Sequence, residues 1–190
     1  MAFDPTSGAL YFEENGIDFP PNQDEPLSAD RLLAIPAALI GTKVFNFGFP
    51  DSYIAYRTGA FVGPRTSRPV VAFQPWPDPY TGSESEGPSE IAFAPAGFPS
   101  GLNNGIFVGF HGRFDLGGLA NEENPLVFYN RATRKYFDFI GNNEPNIGHL
   151  DGLLSTSNAL FIADLSSNGD LFSSQGTGAG VIYMVKAVSS

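Results

Sequence analysis

Polar residues stand at the ends of three apolar, strand-like stretches of this chain, where they could bind a ligand. The first group lies at residues 14–18, the second at 111–113 and the third at 149–151. In a β-architecture whose strand ends converge, amide, imidazole, guanidinium and carboxylate groups at such positions would meet in one site. The candidate binding residues are Asn15, Gly16, Ile17, His111, Arg113 and His149.

Each candidate also has a purely structural interpretation. Asn15 and Gly16 can form a hairpin end with the glycine at positive φ. His111 can be satisfied by a neighbouring backbone group, whereas His149 and Asp151 can cap a strand end. Both interpretations stay open on the sequence alone.

The elements that would position these residues are predicted to be strands. The chain contains 18 Phe, 22 Gly and 16 Pro among 190 residues; aromatic residues favour strands, whereas glycine and proline favour turns and disfavour helices. A hairpin pattern recurs at 1–16, 91–112 and 153–164, and repetition of this kind is typical of radial or stacked β-architectures. We therefore predict an all-β fold that forms part of a β-propeller.

The whole chain, 1–190, is predicted to form one partial propeller domain that starts within a blade. Phe107 and Phe161, in the last two hairpins, are 54 residues apart, which is close to the ~40–50 residues of one blade. The first interval is longer because residues 19–88, rich in Pro, Gly, Asp and Ser, form a predicted loop-rich insertion between blades. Inside it a short helix is predicted at 28–35, with Ser28 as N-cap and Pro36 ending it.

Further strands are predicted along the rest of the chain. Two of them, 126–129 and 135–140, would complete a four-stranded blade with the second hairpin. The remaining predicted strands lie at 53–56, 70–73 and 181–185.

Charge and composition exclude several classes of function. A net charge of −10 with only ten Lys and Arg makes nucleic acid a poor partner, because phosphate contacts need clustered basic residues. The chain contains no Cys, which excludes disulfides and thiolate metal sites. No apolar run approaches the roughly 20 residues that a membrane-spanning helix requires.

Several segments in order resemble the glucose/sorbosone dehydrogenase family, which are soluble quinoproteins on six-bladed propellers. EENGID at 13–18, DRLLAI at 30–35 and NFGFP at 46–50 are similar to that family's E-x-G-P-x, D-E-[LI]-N-x-I and N-Y-G-W-P segments. FAP at 93–95 with FVGFHG at 107–112 resembles a later blade. The segments DG at 151–152, ALFIAD at 159–164 and VIY at 181–183 resemble the closing blade.

The resemblance implies about two and a half to three blades from the C-terminal half of a six-bladed propeller. It implies oxidation of a sugar or polyol by pyrroloquinoline quinone with Ca²⁺, in a periplasmic or extracellular parent protein. The backbone carbonyls of Gly16 and Ile17 would bind Ca²⁺. Asn15 would contact the quinone, and His149 or Arg113 would be the cationic partner of the quinone carboxylates.

Two alternatives stand beside this hypothesis. The family's catalytic His belongs to the N-terminal half, and no residue of this chain corresponds to it. The chain is therefore expected to lack dehydrogenase activity alone and to need the missing N-terminal half of the propeller. The first alternative is a non-catalytic propeller that binds a glycan or a protein. The second is a truncated product, since a half propeller exposes unpaired blade edges.

Overall fold

The computed structural model confirms an all-β protein. It describes residues 1–17, 27–64, 66–112, 123, 125–141, 149–150, 152–165 and 180–188. Contacts divide the chain into an N-terminal unit, Met1–Ser83, and a C-terminal unit, Glu84–Ser190. Each unit is built from antiparallel strands, and the described residues include a single turn of 3-10 helix at Ala37–Leu39.

Thirteen strands are described. In chain order they are β1 (Ala2–Phe3), β2 (Leu10–Glu14), β3 (Arg31–Ile35), β4 (Tyr53–Ile54), β5 (Phe61–Val62), β6 (Val71–Ala72), β7 (Pro88–Phe93), β8 (Gly105–Phe110), β9 (Leu126–Asn130), β10 (Lys135–Ile140), β11 (Gly152–Ser155), β12 (Ala159–Asp164) and β13 (Val181–Lys186).

The N-terminal unit contains a four-stranded sheet, sheet I, in the order β1-β2-β3-β6, and a separate hairpin of β4 and β5. Strands β2 and β3 pair over five residues, from Leu10 opposite Ile35 to Glu14 opposite Arg31. Leu32 and Leu33 are buried on β3 together with Tyr56 and Phe73. Strands β3 and β6 come from the region predicted to be loop-rich, so part of that region builds the sheet.

The predicted helix at 28–35 is wrong, because the segment forms β3 and the residues that lead into it. Its Leu and Ala residues do favour a helix locally. Pairing with β2 outweighs this helical propensity, because it satisfies the backbone hydrogen bonds of both segments. Arg31, Leu32 and Leu33 are buried in succession on the resulting strand. The predicted N-cap, Ser28, instead accepts a hydrogen bond from the amide of Ile17.

The C-terminal unit begins with sheet II, a four-stranded antiparallel sheet in the order β10-β9-β8-β7. This confirms the predicted grouping of the second hairpin with the strands at 126–129 and 135–140. All six residues of β8 are buried. One face of sheet II presents aromatic rings, with the Phe107 centroid 4.9 Å from that of Phe128 and 5.1 Å from that of Phe139.

Sheet III follows, with three antiparallel strands in the order β11-β12-β13. Its inner face contributes Leu153, Leu160 and Ile162 to one hydrophobic core with Phe107 and Phe128 of sheet II. Strand β11 lies beside β7 and β8. Sheets II and III therefore pack face to face around a shared apolar layer.

A glycine permits the backbones of these two sheets to approach closely. A Cβ atom at Gly109 of β8 would lie 2.2 Å from the carbonyl oxygen of Leu150, which precedes β11. Any larger residue would push this backbone away. The approach places residues that follow β8 next to residues that precede β11.

The described part of the chain includes no helix long and apolar enough to cross a membrane.

Asp138 stands out on the other face of sheet II. The strand register aligns it with three aliphatic residues, Ile91, Val108 and Val127. Its Oδ1 atom is buried and has no hydrogen-bond partner among the described residues. Burial beside these side chains raises the pKa of the Asp138 carboxyl to about 6.

We expect Asp138→Asn to stabilise the protein at pH 7. The folded protein holds this proton more tightly than the unfolded chain, so the free energy of unfolding falls as pH rises from about 4 to about 6. Raising the Asp138 pKa to about 6 corresponds to a loss of about 3 kcal/mol in the free energy of unfolding at pH 7, and partial solvation of the carboxyl reduces the expected gain in Asp138→Asn to about 1–2 kcal/mol.

Urea unfolding at pH 4.5 and pH 7 measures this effect. Asp51→Asn is the control, because the Asp51 side chain is exposed. If Asp138→Asn leaves the difference between the two pH values unchanged, the carboxyl is not desolvated as described.

Candidate functional site

The structure brings two of the candidate residues, His111 and His149, into direct contact. Their rings stack with centroids 4.4 Å apart and planes inclined by 21°. His111 follows β8 and His149 precedes β11, so the close approach at Gly109 places them side by side. The sequence predicted both as site residues from their positions at strand ends, and the fold explains why they meet.

His149 is fully buried and is held by several polar contacts. Its backbone N–H donates to Asp164 Oδ1 over 3.0 Å, and its carbonyl accepts from the Leu165 N–H over 3.1 Å. Its ring Nδ1 donates to the carbonyl of His111. Because a carbonyl can only accept, this contact assigns the proton to Nδ1.

Asp164 connects this pair to the next strand. Its carboxylate accepts from His149, is almost completely buried, and forms a side-chain hydrogen bond with Tyr183 of β13. Partial burial, the charge of Asp164 and this hydrogen bond raise the pKa of the Tyr183 hydroxyl. The four residues, His111, His149, Asp164 and Tyr183, form the histidine cluster.

The histidine cluster joins the strands of sheets II and III where the strands end. Because the His149 ring is buried and its Nδ1 is already bound to a backbone carbonyl, its described contacts match the structural interpretation of this residue. His111 is only partly buried, which leaves it the more accessible of the two. Arg113 and Asp151, which the sequence associates with these histidines, lie outside the described residues.

The second candidate segment, residues 15–17, is held by the residues that lead into β3. The Gly16 N–H donates to the buried carboxylate of Asp30, and the Ile17 N–H donates to Ser28 Oγ over 2.7 Å. The carbonyl of Ile17 accepts from the Leu27 N–H over 2.8 Å. This segment is thus bonded to its neighbour through side chains as well as through the backbone.

Gly16 is required for close approach. A Cβ atom there would lie 2.2 Å from the carbonyl oxygen of Ser28. The glycines with positive φ do not include Gly16. The expected left-handed hairpin end at this position is therefore wrong, and the reason for the glycine is steric.

An ion pair lies beside this segment. Arg31, almost completely buried on β3, pairs with Glu14 at the end of β2 and donates from Nη1 to the Phe47 carbonyl over 3.1 Å. A buried guanidinium needs such partners, because an uncompensated buried charge is costly. The pair ties the 46–50 motif to sheet I.

These contacts bear on the predicted Ca²⁺ site. Calcium takes six to eight oxygen ligands, whereas the Ile17 carbonyl is already bonded and the described residues contain no group of three or more His, Asp or Glu side chains placed to hold a metal ion. The role of Asn15, Gly16 and Ile17 toward a quinone and Ca²⁺ stays a prediction.

The structure also shows an aromatic loop whose residues were not among the predicted site residues. In this loop, residues 74–83, the Trp76 side chain is 38% exposed and the Tyr80 side chain 69% exposed. The sequence predicted only an exposed loop there. The sequence does contain a signal for this loop, because two large aromatic residues stand among Pro, Asp and Gly. A solvated loop does not need such side chains for packing, so they indicate a contact surface.

Hydrogen bonds fix the backbone of the aromatic loop. Trp76 and Ser83 exchange two backbone bonds of 2.9 Å, and the Asp78 carboxylate accepts from the N–H groups of Tyr80 and Thr81. Arg57 donates to the Pro79 carbonyl over 2.8 Å. The loop therefore presents its two exposed rings on an ordered backbone.

No protein-family model matches the sequence, and no curated protein and no solved structure shows significant similarity to it. The comparisons thus assign no family, and the resemblance to glucose/sorbosone dehydrogenases stays a hypothesis.

We expect Gly16→Ala to destabilise the protein by about 2–3 kcal/mol, since the added methyl group overlaps backbone that cannot move without breaking the bonds to Asp30 and Ser28. Thermal unfolding followed by circular dichroism measures the change. Gly141→Ala is the matched control, because no atom lies within 4 Å of its added Cβ. Equal stability of the two variants would contradict this steric account.

Proposed function

We propose that this protein is a carbohydrate-binding module, with the aromatic loop as its contact surface. The observation that carries the proposal is the exposure of Trp76 and Tyr80 on a loop whose backbone is fixed by hydrogen bonds. This corresponds to the glycan-binding alternative that the sequence left open.

The chemistry of the two rings supports this proposal. The face of an aromatic ring carries partial negative charge, and the C–H groups of a sugar ring carry partial positive charge, so the two stack favourably in water. Large rings also supply contact area at little cost in side-chain entropy. Trp76 and Tyr80 thus provide two flat surfaces for a sugar chain.

The fixed backbone of the aromatic loop adds to the affinity. A loop that is already ordered loses little conformational entropy when it binds. The bonds between Trp76 and Ser83 join the two ends of the loop, and the bond from Arg57 to Pro79 holds its middle. A flexible loop of the same composition would bind more weakly.

We also propose that sheets II and III are consecutive blades of a β-propeller. Three observations support this: sheet II is a four-stranded antiparallel meander, sheet III packs on its face, and the first strands of the two sheets, β7 and β11, lie side by side. Propeller blades pack in this way around their axis. Sheet I has four strands as well and is proposed as a further blade.

Quinone-dependent oxidation of a sugar is the second candidate function. It rests on the ordered segments that resemble glucose/sorbosone dehydrogenases. The contact between His111 and His149 favours it, since both were predicted as cofactor residues and lie together. It ranks second because His149 is buried and the Ile17 carbonyl, one of the two predicted Ca²⁺ ligands, already accepts a hydrogen bond from the Leu27 N–H.

We expect Trp76→Ala and Tyr80→Ala each to weaken polysaccharide binding about 2- to 12-fold, because each removes one stacking surface worth about 0.5–1.5 kcal/mol. Affinity electrophoresis in gels containing a panel of soluble polysaccharides measures the retardation. Phe3→Ala is the control, since Phe3 is an exposed aromatic residue outside the loop. Absence of retardation by the whole panel, or equal retardation of all variants, would overturn the proposal.

The second candidate is tested independently by calorimetry with pyrroloquinoline quinone in the presence and absence of Ca²⁺. If the resemblance reflects function, quinone binding should depend on Ca²⁺ and should weaken in His111→Ala. Titrations that release no heat for either ligand would exclude this function for the chain as it stands.

A further inference from the structure

The aromatic loop carries an acid between its two exposed rings. Asp78 stands two residues after Trp76 and two residues before Tyr80, and it is exposed as they are. Its Oδ1 atom accepts from the N–H groups of Tyr80 and Thr81 over 2.9 and 3.1 Å and from the Thr81 hydroxyl over 3.2 Å. These bonds hold the carboxylate beside the backbone that also carries the Tyr80 ring.

The other carboxylate oxygen of Asp78 is available to a ligand. Within the described part of the chain, Oδ2 accepts no hydrogen bond and Asp78 forms no ion pair. Arg57, the cation that contacts the loop, donates to the Pro79 carbonyl instead and lies over the Tyr56 ring, 5.2 Å from its centroid. The charge of Asp78 is therefore not neutralised by this guanidinium.

The charge of the whole chain acts in the same direction. The chain carries 20 Asp and Glu residues against ten Lys and Arg, which gives a net charge of −10. A field of this sign repels the carboxylate and sulfate groups of acidic polysaccharides and attracts cations to the surface. Acidic glycans are thus disfavoured as ligands of the aromatic loop, and basic ones are favoured.

An amino sugar has the groups that match these features. Its C–H groups can stack on an aromatic ring as those of any sugar can. Its ammonium group adds two attractions that a neutral sugar lacks. The face of an aromatic ring attracts a cation, and a carboxylate accepts a charge-assisted hydrogen bond from an ammonium group. Acetylation of the amine removes the charge and both attractions with it.

From these observations we infer that the aromatic loop selects glycans whose sugars carry free amino groups, such as chains of glucosamine. The inference rests on the proposed glycan binding and adds the class of sugar. In this account Trp76 and Tyr80 provide the stacking surfaces common to all sugars. Asp78 provides the selectivity, because its Oδ2 atom pairs with an ammonium group of the bound chain.

The experiment is calorimetric titration of the full chain with three linear oligosaccharides of equal length and linkage, built from glucosamine, N-acetylglucosamine or glucose. At about pH 5.5 the amino groups and the Asp78 carboxylate are both charged. We expect the glucosamine oligomer to bind about 5-fold more tightly than the other two in about 20 mM salt. Screening should reduce this preference to about 2-fold in about 0.5 M salt.

The variant Asp78→Asn isolates the charge of this side chain. An asparagine keeps a side-chain oxygen that can accept from the Tyr80 and Thr81 N–H groups, so the loop retains its backbone bonds. We expect it to bind all three oligomers with affinities within about 2-fold of one another. Asp51→Asn is the matched control, because it removes an exposed acid of the same unit outside the loop. It should keep the preference for glucosamine.

The possible outcomes separate this inference from the proposed function. If the neutral oligomers bind as tightly as the glucosamine oligomer, the selectivity is refuted while glycan binding stands. If Asp78→Asn keeps the wild-type preference, or Asp51→Asn loses it equally, the net charge of the chain is responsible and the role of Asp78 is refuted. If no oligomer binds, the inference fails, and the polysaccharide panel decides whether the proposed function fails with it.

Discussion

The packing of sheet II against sheet III is the interaction on which the C-terminal unit depends. Phe107 lies at its centre, in contact with Phe98, Phe128 and Phe139. A three-stranded sheet alone buries too little apolar area to be stable in water, and the shared aromatic layer supplies that burial. The close approach at Gly109 and the contact between His111 and His149 are consequences of the same packing, because each needs the two backbones at this separation.

Polar residues at the ends of the strands form hydrogen bonds to the backbone of the turns, which the apolar layers do not stabilise. In the C-terminal unit His149 and Asp164 bind backbone groups where β11 begins and β12 ends. In the N-terminal unit Ser28 and Asp30 do the same for the turn after β2. A buried polar group is tolerated when it has such partners. In both units, candidate ligand-binding residues also contribute to folding.

The sequence predicted the strands of sheets II and III well, because the apolar runs there are long and are bounded by turn residues. It also predicted His111 and His149 as members of one site. The helix at 28–35 was wrong because local propensity contains no information about the β2 partner of this segment. The reason for Gly16 was missed, since contact with the Ser28 carbonyl arises only from folding. Trp76 and Tyr80 were missed because exposure of a side chain is decided by tertiary structure.

The position of Asp138 has a consequence for solubility. Strand β10 lies at one edge of sheet II, where unpaired backbone groups can recruit a strand from another molecule. Aggregates of stacked strands place like side chains in register, and a carboxylate held among Ile91, Val108 and Val127 would meet its own copies in a dry layer. In such an assembly the ionised acid would therefore oppose stacking of β10 at pH values above its pKa of about 6.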